Sequence, residues 1–167
     1  MSDSLTDPRG SSVAEELMDF RIRRATPSDA DAVSAVLLAA GLRAWGPFLG
    51  EDRIRAANQG RTHPAALVAV DDEGVFAFVA WDETTGEITR LYTHPRGQGR
   101  GAARHLLGRA LEALRAAGCT EAWLNTEERN EDARRFYERQ GWVEDGRPRV
   151  RDWHGARLVE PRYVKRL

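Results

Sequence analysis

A glycine-rich turn between a predicted strand and a predicted helix constrains this chain more than any other feature. The segment 91–107, LYTHPRGQGRGAARHLL, predicts a strand ending at Thr93, an interruption at Pro95 and the first turns of an amphipathic helix. A turn with few side chains exposes backbone N–H groups at a helix N-terminus, where the helix dipole favours negative charge. Residues 91–115 also contain five arginines and one glutamate. The segment therefore predicts a site for a phosphate or pyrophosphate.

Two well-known phosphate-binding loops fit this turn poorly. The P-loop ends in Gly-Lys-Ser/Thr, and the segment contains no lysine. A dinucleotide-binding motif could be placed at Gly97-x-Gly99-x-x-Ala102. That motif also needs an acidic residue roughly 20 positions later, after a second strand. The next predicted strand, 121–126, provides Asn125 there and no buried acid.

Composition limits the classes of protein that remain. The 167 residues fit one domain, and a pI near 6.4 argues against nonspecific nucleic-acid binding. The single cysteine, Cys119, excludes an internal disulfide, and no histidine has a metal-binding partner at ligand spacing, so no metal is expected. No apolar run approaches about 18 residues and no signal peptide pattern is present. We therefore expect a soluble cytoplasmic protein without a membrane span.

The order of predicted elements indicates a mixed α/β domain at residues 20–167, preceded by a flexible leader at 1–19. Strands are predicted at 20–25, 66–70, 75–81, 87–93, 121–126 and 142–144, with a closing strand pair in 158–167. Helices are predicted from Thr26 to about Ala40, where Gly41 stops the first one, and then at 52–59, from the turn to Gly118, and from Asn130 to Gly141. Loops are expected at 42–50 and 146–157. The central sheet is predicted to be largely antiparallel, with strands 87–93 and 121–126 parallel because a helix connects them.

A second motif lies in the segment 130–142, NEDARRFYERQGW. Asn130 is a favoured residue for capping a helix, and Gly141 is suited to follow the helix end. Helical spacing puts Ala133, Phe136 and Tyr137 on one face. Taken alone, these three residues are compatible with an ordinary hydrophobic core.

Together, the two segments resemble the motifs of the GNAT superfamily of N-acyltransferases. The turn matches the acyl-CoA-binding pattern Gln/Arg-x-x-Gly-x-Gly/Ala at Gln98, Gly101 and Ala103. A second register, through Arg96, would need a two-residue deletion after the proline, so the first is preferred. The second segment matches the family pattern at Asn130, Ala133, Phe136, Tyr137, Gly141 and Trp142.

The resemblance implies the GNAT fold, a mostly antiparallel sheet with helices on both faces, and acetyl-CoA as the acyl donor. It implies that the pantetheine arm pairs with the strand backbone at 91–93 and that the pyrophosphate lies on the amides of the turn. Arg100 and Arg104 are placed where they could meet CoA phosphates. The expected acetyl-CoA contacts are Leu91, Tyr92, Thr93, Gln98, Gly99, Arg100, Gly101, Ala102, Ala103, Arg104 and Asn130.

Acyl transfer to an amine needs a neutral amine, a polarised carbonyl and a proton for the leaving thiolate. Tyr137 is a feasible proton donor, because a phenol of pKa about 10 can protonate a thiolate whose acid has a pKa of about 8.5. Backbone N–H groups of the strand 91–93 could polarise the carbonyl. Removing a proton from an amine of pKa about 10 costs about 4 kcal/mol at pH 7. Glu87, on the strand that leads into the site, is the candidate base, directly or through water.

Three functions remain open from the sequence. The first is N-acetylation of a primary amine on a small molecule or protein, and Tyr137 favours it. The second is a non-catalytic acyl-CoA sensor or interaction module, and the third is a nucleotide-binding regulatory domain. The acceptor would be chosen by the 42–50 loop, the second helix and the 146–157 loop. There, Trp45, Phe48 and Trp153 predict a partly apolar cleft. A homodimer is expected only because dimers are common in the family.

Overall fold

The computed structural model describes residues 18–167 as an α/β fold built on one large sheet and a separate hairpin. The strands are β1 (Arg21–Arg24), β2 (Leu67–Asp71), β3 (Gly74–Asp82), β4 (Glu87–Thr93), β5 (Glu121–Asn125), β6 (Val143–Glu144), β7 (Arg149–Trp153), β8 (Ala156–Glu160) and β9 (Arg162–Arg166). The helices are α1 (Ala30–Leu49), α2 (Glu51–Asn58), α3 (Ala102–Ala116) and α4 (Glu131–Arg139), and short 3-10 turns cover Pro27–Asp29 and Pro95–Gly97.

The large sheet has seven strands in the order β1-β2-β3-β4-β5-β9-β6. Only β4 and β5 run parallel, and every other neighbouring pair is antiparallel. The parallel pair follows from the crossover through α3, which returns the chain to the same end of the sheet. The predicted mixed fold with a mostly antiparallel sheet is therefore confirmed.

Alternation along the strands gives the sheet two apolar faces, and helices cover both. On one face, Val68 and Phe78 pack with Val33, Val36 and Leu37 of α1. The opposite face carries the largest core cluster, which includes residues of α3 and α4. Because neighbouring strand residues point to opposite faces, β3 contributes Phe78 to the first cluster and Val79 to the second. The prediction of helices on both faces is confirmed.

Helix α1 is longer than predicted, and the expected loop at 42–50 is mostly helical. Gly41 does not stop the helix, which continues through Pro47 and ends before Gly50, where φ is 86°. A Cβ added to Gly41 would lie 3.4 Å from Ile54 Cγ2 on α2. The glycine therefore allows α1 and α2 to pack closely, and a contact distant in sequence outweighs its weak helix propensity.

The C-terminal region also differs from the prediction. The expected loop at 146–157 contains β7, which pairs with β8 as a two-stranded sheet outside the main one. The predicted strand pair at 158–167 consists of β8 and β9, which belong to different sheets. Strand β9 lies between β5 and β6 in the large sheet. The hairpin β7–β8 is thereby placed beside the edge of the cleft described below.

The N-terminal part of the expected leader, residues 1–17, lies outside the described residues. Its last two residues contact the domain: Met18 packs against the main core cluster, and an Asp19 carboxylate oxygen lies 3.1 Å from an Arg100 guanidinium nitrogen.

One segment, Pro27–Leu49, is long and apolar enough to cross a membrane by length and composition alone. The expectation that no segment is long and apolar enough to cross a membrane is therefore wrong as far as length and composition are concerned. A single helix of this kind is weak evidence, because a core helix passes the same test. Here Val33, Val36 and Leu37 of the segment pack on the sheet.

Candidate active site

A cleft of about 1360 Å³ passes through a gap in the large sheet, between β4 and β5. The two strands are paired only where Glu87 lies opposite Trp123, and they separate beyond that point. The β4 edge from residue 88 to residue 93 therefore carries backbone groups without a partner on the β5 side. The cleft is lined from both faces of the sheet, so it has two sides. The turn side includes residues 97–99, 101–104, 124–127, 129–133, 135–137 and 139–140, and the acceptor side includes Arg43, Trp45, Arg61, His63, Glu87, Arg90, Tyr92, Arg149, Arg151, Trp153 and Glu160.

The glycine-rich turn presents its amides to this cleft. Within residues 18–167, none of the backbone N–H groups from Gly99 to Arg104 donates a hydrogen bond to protein; the first amide of α3 that does so is His105, to Gly101. Gly99 and Gly101 have φ of 78° and 82°, the left-handed region that favours glycine. A turn of this shape followed by the N-terminus of α3 fits an anionic group such as a pyrophosphate.

Two arginine side chains of the turn bind other protein groups and do not point into the cleft. Arg96 and Arg100 each place a guanidinium nitrogen 2.7 Å from the same Asp71 oxygen, at the end of β2. The Arg100 guanidinium also lies 4.3 Å from the centre of the Phe76 ring. The Arg100 side chain is therefore engaged with the protein, and Arg100 is not among the residues that line the cleft, so this geometry does not support the predicted contact with a CoA phosphate. The sequence analysis did not identify Asp71.

The engagement of Arg96 also distinguishes the two motif registers. The register that begins at Arg96 would need this side chain beside the ligand, but it is bound to Asp71. Gln98, which begins the preferred register, lies exposed on the cleft. The geometry therefore favours the pattern Gln98, Gly101, Ala103.

Gly97 is packed directly on the ring of Phe76. A Cβ at this position would lie 2.1 Å from Phe76 Cδ2, closer than any real contact. The Phe76 ring is fully buried and also contacts Phe20 edge-on, so it cannot move aside. Gly97 is thus required for packing, and the turn is fixed to the sheet through Phe76.

The remaining expected contacts of acetyl-CoA all line this cleft. Arg104 is exposed, with no side-chain partner among residues 18–167. Asn130 caps α4, its side-chain oxygen accepting from the Ala133 amide at 3.3 Å. The other predicted contacts that line the cleft are Leu91, Tyr92, Thr93, Gln98, Gly99, Gly101, Ala102 and Ala103.

Tyr137 lies against the core with its hydroxyl group at the cleft. Its ring contacts Phe136, Trp142 and Tyr163, and 8% of the residue remains exposed. The hydroxyl has no hydrogen-bond partner in the described part of the chain, although the oxygen is not sealed from solvent. Burial, and to a lesser extent the nearby Tyr92 phenol, raises the pKa of Tyr137 above its ordinary value of 10. The phenol is therefore protonated throughout the physiological pH range.

Glu87 lines the cleft at the closed end of the gap between β4 and β5. Burial raises the pKa of its carboxyl, although the positive charge of Arg149 opposes the shift. A carboxylate with a raised pKa is a stronger base than an ordinary glutamate. The structure thus places Glu87 and Tyr137, the two predicted catalytic residues, on the same cleft.

Sequence analysis missed a buried carboxylate on the acceptor side. Glu160, with 6% of its surface exposed, accepts from Arg149 Nε at 2.7 Å and from Arg151 Nε at 3.0 Å. Burial alone would raise the pKa of Glu160, but the hydrogen bonds from Arg151 and Arg149 outweigh it and lower the pKa. The spacing Arg149-x-Arg151 on one strand face was a signal, but it was lost when residues 146–157 were interpreted as a loop.

The three predicted aromatic residues are only partly brought together. Trp45 and Trp153 line the cleft with ring centres 6.2 Å apart, and Trp45 also meets Tyr92 at 6.1 Å. Phe48 does not line the cleft; it packs behind Trp45 and is covered by the Arg129 guanidinium at 4.3 Å. The cleft is therefore partly apolar, as predicted, but Phe48 is not one of its walls.

No group of three or more His, Cys, Asp or Glu side chains in the described residues is arranged to hold a metal ion. Cys119 is a free thiol and lies outside the cleft.

Solved structures share this fold over most of the chain. A GCN5-related N-acetyltransferase from Rhodopseudomonas palustris superposes with a TM-score of 0.75 at 20% identity, over 88% of this chain and 95% of that one. PaiA N-acetyltransferase from Thermoplasma acidophilum, in complex with coenzyme A, gives a TM-score of 0.65 at 17% identity, over 90% and 100% of the two chains. The yncA acetyltransferase of Salmonella typhimurium, with acetyl-CoA, gives 0.63 at 21% identity, over 88% and 93%.

Curated relatives match a shorter region. A mycothiol acetyltransferase of Beutenbergia cavernae is 42% identical over 86 residues, which is 48% of this chain and 29% of that protein. An uncharacterised N-acetyltransferase of Mycobacterium tuberculosis is 30% identical over 73 residues, or 44% of this chain and 47% of the relative. In both cases the matched region spans less than half of the relative's length.

The model of the acetyltransferase (GNAT) family matches residues 37–142. This region contains β4, the glycine-rich turn, α3 and all of the second motif, so it includes the whole turn side of the cleft. The match covers more than half of the chain, and the predicted resemblance is confirmed. The chain belongs to the acetyltransferase (GNAT) family.

Proposed function

We propose that this protein transfers an acetyl group from acetyl-CoA to a primary amine by direct attack. One observation carries the proposal: the unused amides of Gly99 and of residues 101–104 open onto the same cleft as the unpartnered hydroxyl of Tyr137. The first feature fits a pyrophosphate and the second fits a leaving thiolate. A gap between β4 and β5 joins them, with free backbone groups for an extended pantetheine chain.

Acetyl-CoA supplies an acyl group already activated as a thioester, so no covalent intermediate on the protein is needed. The turn amides and Arg104 hold the phosphates, and the β4 edge orients the carbonyl and polarises it through a backbone N–H. Glu87 accepts the proton that the amine nitrogen loses as it bonds to the carbonyl carbon. Tyr137 gives its proton to the sulfur as the carbon–sulfur bond breaks and the electron pair stays on sulfur.

The raised pKa of Tyr137 is compatible with this role. A phenol with a pKa above 10 transfers a proton unfavourably to a thiolate whose acid has a pKa of about 8.5 in water. A thiolate formed in the same buried gap is also desolvated, and desolvation raises the pKa of its acid as well. Both pKa values therefore move in the same direction, and the difference between them stays small.

The test is an acceptor screen with acetyl-CoA, in which release of free thiol is followed for amino acids, polyamines, aminoglycosides and peptides. Tyr137→Phe should lower kcat by about 100-fold or more on the accepted amine, the usual contribution of a general acid. It should leave the Kd of acetyl-CoA within about twofold, because the phenol does not touch the phosphates.

Tyr163→Phe is the matched control. Tyr163 is also buried, 6.2 Å from Tyr137 between ring centres, but its hydroxyl bonds Arg134 and Glu138 and does not line the cleft. It should lose stability and keep its turnover. Equal turnover in wild type and Tyr137→Phe would contradict the role of Tyr137. Acetyl-CoA binding without any accepted amine would favour a non-catalytic acyl-CoA-binding module.

A further inference from the structure

The acceptor side of the cleft has an excess of positive charge. Among its lining residues, five arginines (Arg43, Arg61, Arg90, Arg149 and Arg151) face two carboxyl groups, Glu87 and Glu160. Glu160 already neutralises Arg149 and Arg151 in part through three hydrogen bonds. The side chains of Arg43, Arg61 and Arg90 have no ion pair or hydrogen bond within residues 18–167. These three guanidinium groups are therefore available to a ligand.

Arg90 is the best placed of the three. It lies on β4 two residues before Tyr92 and is half-buried, so its charge is partly removed from water. A partly buried guanidinium without an anionic partner is unfavourable, and a ligand anion would relieve that cost. The Glu87 carboxyl group interacts electrostatically with Arg90, but no ion pair joins the two side chains. The proposed mechanism also reserves Glu87 for the proton of the amine.

Two neutral groups on the acceptor side are also unsatisfied. Trp45 Nε1 and His63 Nε2 are buried on the acceptor side, and neither has a hydrogen-bond partner in the described part of the chain. An indole N–H is only a donor, so it suits an acceptor oxygen. Burial, followed by the charges of Arg90 and Arg61, lowers the pKa of His63, which places both arginines near this ring. The Trp45 ring meets the Tyr92 ring, and Arg90 lies two residues before Tyr92 on β4, so an unpaired N–H donor and an unpaired cation flank the same residue.

We propose that the acceptor amine carries an acidic group, a carboxylate or a phosphate, which Arg90 and the Trp45 indole N–H bind beside Tyr92. Arg61 and Arg43 add long-range attraction from the rim. This inference rests on the proposed N-acetyltransferase activity and names its substrate class. A polyamine is excluded by the same charges, because its additional ammonium groups would face unpaired guanidinium groups.

The experiment compares amines that differ only in the acidic group. Tyrosine is paired with tyramine, and phosphoethanolamine with ethanolamine. For at least one pair, kcat/KM should be higher for the acidic member by about tenfold or more, the effect of one charge-assisted hydrogen bond. The pair that shows the preference identifies carboxylate or phosphate as the group. The preference should decrease as ionic strength rises, because part of the attraction is long-range.

Two variants test the residues. Arg90→Gln should remove the preference, leaving the paired amines within about twofold of each other, since the remaining charges lie further from the acidic group. Trp45→Phe keeps the aromatic ring and removes the N–H, so it should reduce the preference without abolishing it. Arg24→Gln, an exposed arginine at the end of β1 outside the cleft, should behave as wild type. Acetyl-CoA affinity, measured for each variant, checks that the fold is intact.

The outcomes separate this inference from the proposed function. Equal or better use of tyramine and ethanolamine would overturn the inference and leave the N-acetyltransferase function standing. Failure of every amine in the presence of bound acetyl-CoA would overturn the proposed function. In that case the binding of each amine to the CoA-loaded protein is measured by calorimetry. The inference stands only if the acidic amine of a pair binds more tightly than its partner and Arg90→Gln removes this difference in affinity.

Discussion

The two sides of the cleft differ in the chemical groups that form them. The turn side is made mainly of backbone amides from one continuous segment, 99–104, fixed at its base by Gly97 and Asp71. The acceptor side is made of side chains from α1, β4 and the hairpin β7–β8, which lie far apart in sequence. Trp45 and Trp153 meet there only because the hairpin packs beside α1. One side is local, and the other is assembled by the tertiary fold.

This difference governs how each side responds to substitution. Every residue except proline supplies a backbone N–H group, so the turn tolerates other side-chain changes as long as its shape is kept. The acceptor side depends on the identity of each side chain and on the elements that carry it.

Glu160→Gln should have the largest effect on stability and should act only on the acceptor side. The buried carboxylate holds two arginines, and removing its charge leaves both without an anionic partner, at a cost of about 3 kcal/mol in the free energy of unfolding. The KM of the acceptor should change, because Arg149 and Arg151 are released from Glu160, while the Kd of acetyl-CoA stays unchanged. Denaturant unfolding, steady-state kinetics and calorimetry measure these quantities.

Glu128→Gln is the control for that variant, because Glu128 is exposed and its side chain has no ion pair among residues 18–167. It should be indistinguishable from wild type. If Glu160→Gln weakened acetyl-CoA binding as much as it changes the acceptor KM, the two sides of the cleft would not be independent.

Gly97→Ala should destabilise the protein by about 2 kcal/mol, because the new methyl group would overlap the immovable ring of Phe76. Acetyl-CoA affinity should fall as well, since the turn must shift. Gly108→Ala is the matched control, because a Cβ on that exposed glycine of α3 meets no atom within 4 Å. The control should stabilise the helix by about 0.5 to 1 kcal/mol. Thermal unfolding with and without acetyl-CoA distinguishes the two changes.

Asp71→Asn should cost about 1 kcal/mol, because two partly solvated ion pairs with Arg96 and Arg100 are weakened. Acetyl-CoA affinity should weaken by about threefold at most, while acceptor KM is unchanged. Asp72→Asn, one residue later and exposed, should have neither effect. Tighter acetyl-CoA binding in Asp71→Asn would contradict the structural role of Asp71.

The Asp71 effect also has a defined pH dependence. Hydrogen bonding by Arg96 is the main cause that lowers the pKa of Asp71 in the folded state, with Arg100 contributing further. The stabilisation is therefore fully present above the ordinary carboxyl pKa of about 4 and is lost as pH falls through the lowered folded pKa. The difference in stability between wild type and Asp71→Asn should shrink below about pH 4.

The smallest expected effect concerns the pH profile of kcat/KM. This rate constant should not decline at alkaline pH. The raised pKa keeps Tyr137 protonated beyond pH 10, so activity should rise with pH as the amine is deprotonated and then level off. A decline between about pH 8 and pH 10 would show that another acid, of ordinary pKa, protonates the thiolate. In the expected profile, the rise with pH reports deprotonation of the acceptor amine.

Sequence reasoning succeeded where a short segment fixes its own shape. The glycine-rich turn and the start of α3 were predicted from the segment itself, as was the cap at Asn130. It failed where distant contacts decide the outcome. Gly41 continues a helix because α2 packs on it, and Arg100 turns away from the cleft because Asp71 on β2 attracts it.

The chain alone determined its family, the order of most of its elements and the pair of segments that frame the cleft, because those signals are periodic or local. Only the tertiary structure decided which charges remain free. Whether an arginine binds a ligand or the protein depends on which carboxylate the fold brings within hydrogen-bond distance, as Glu160 is brought to Arg149 and Arg151. Residue spacing along a chain does not encode that distance.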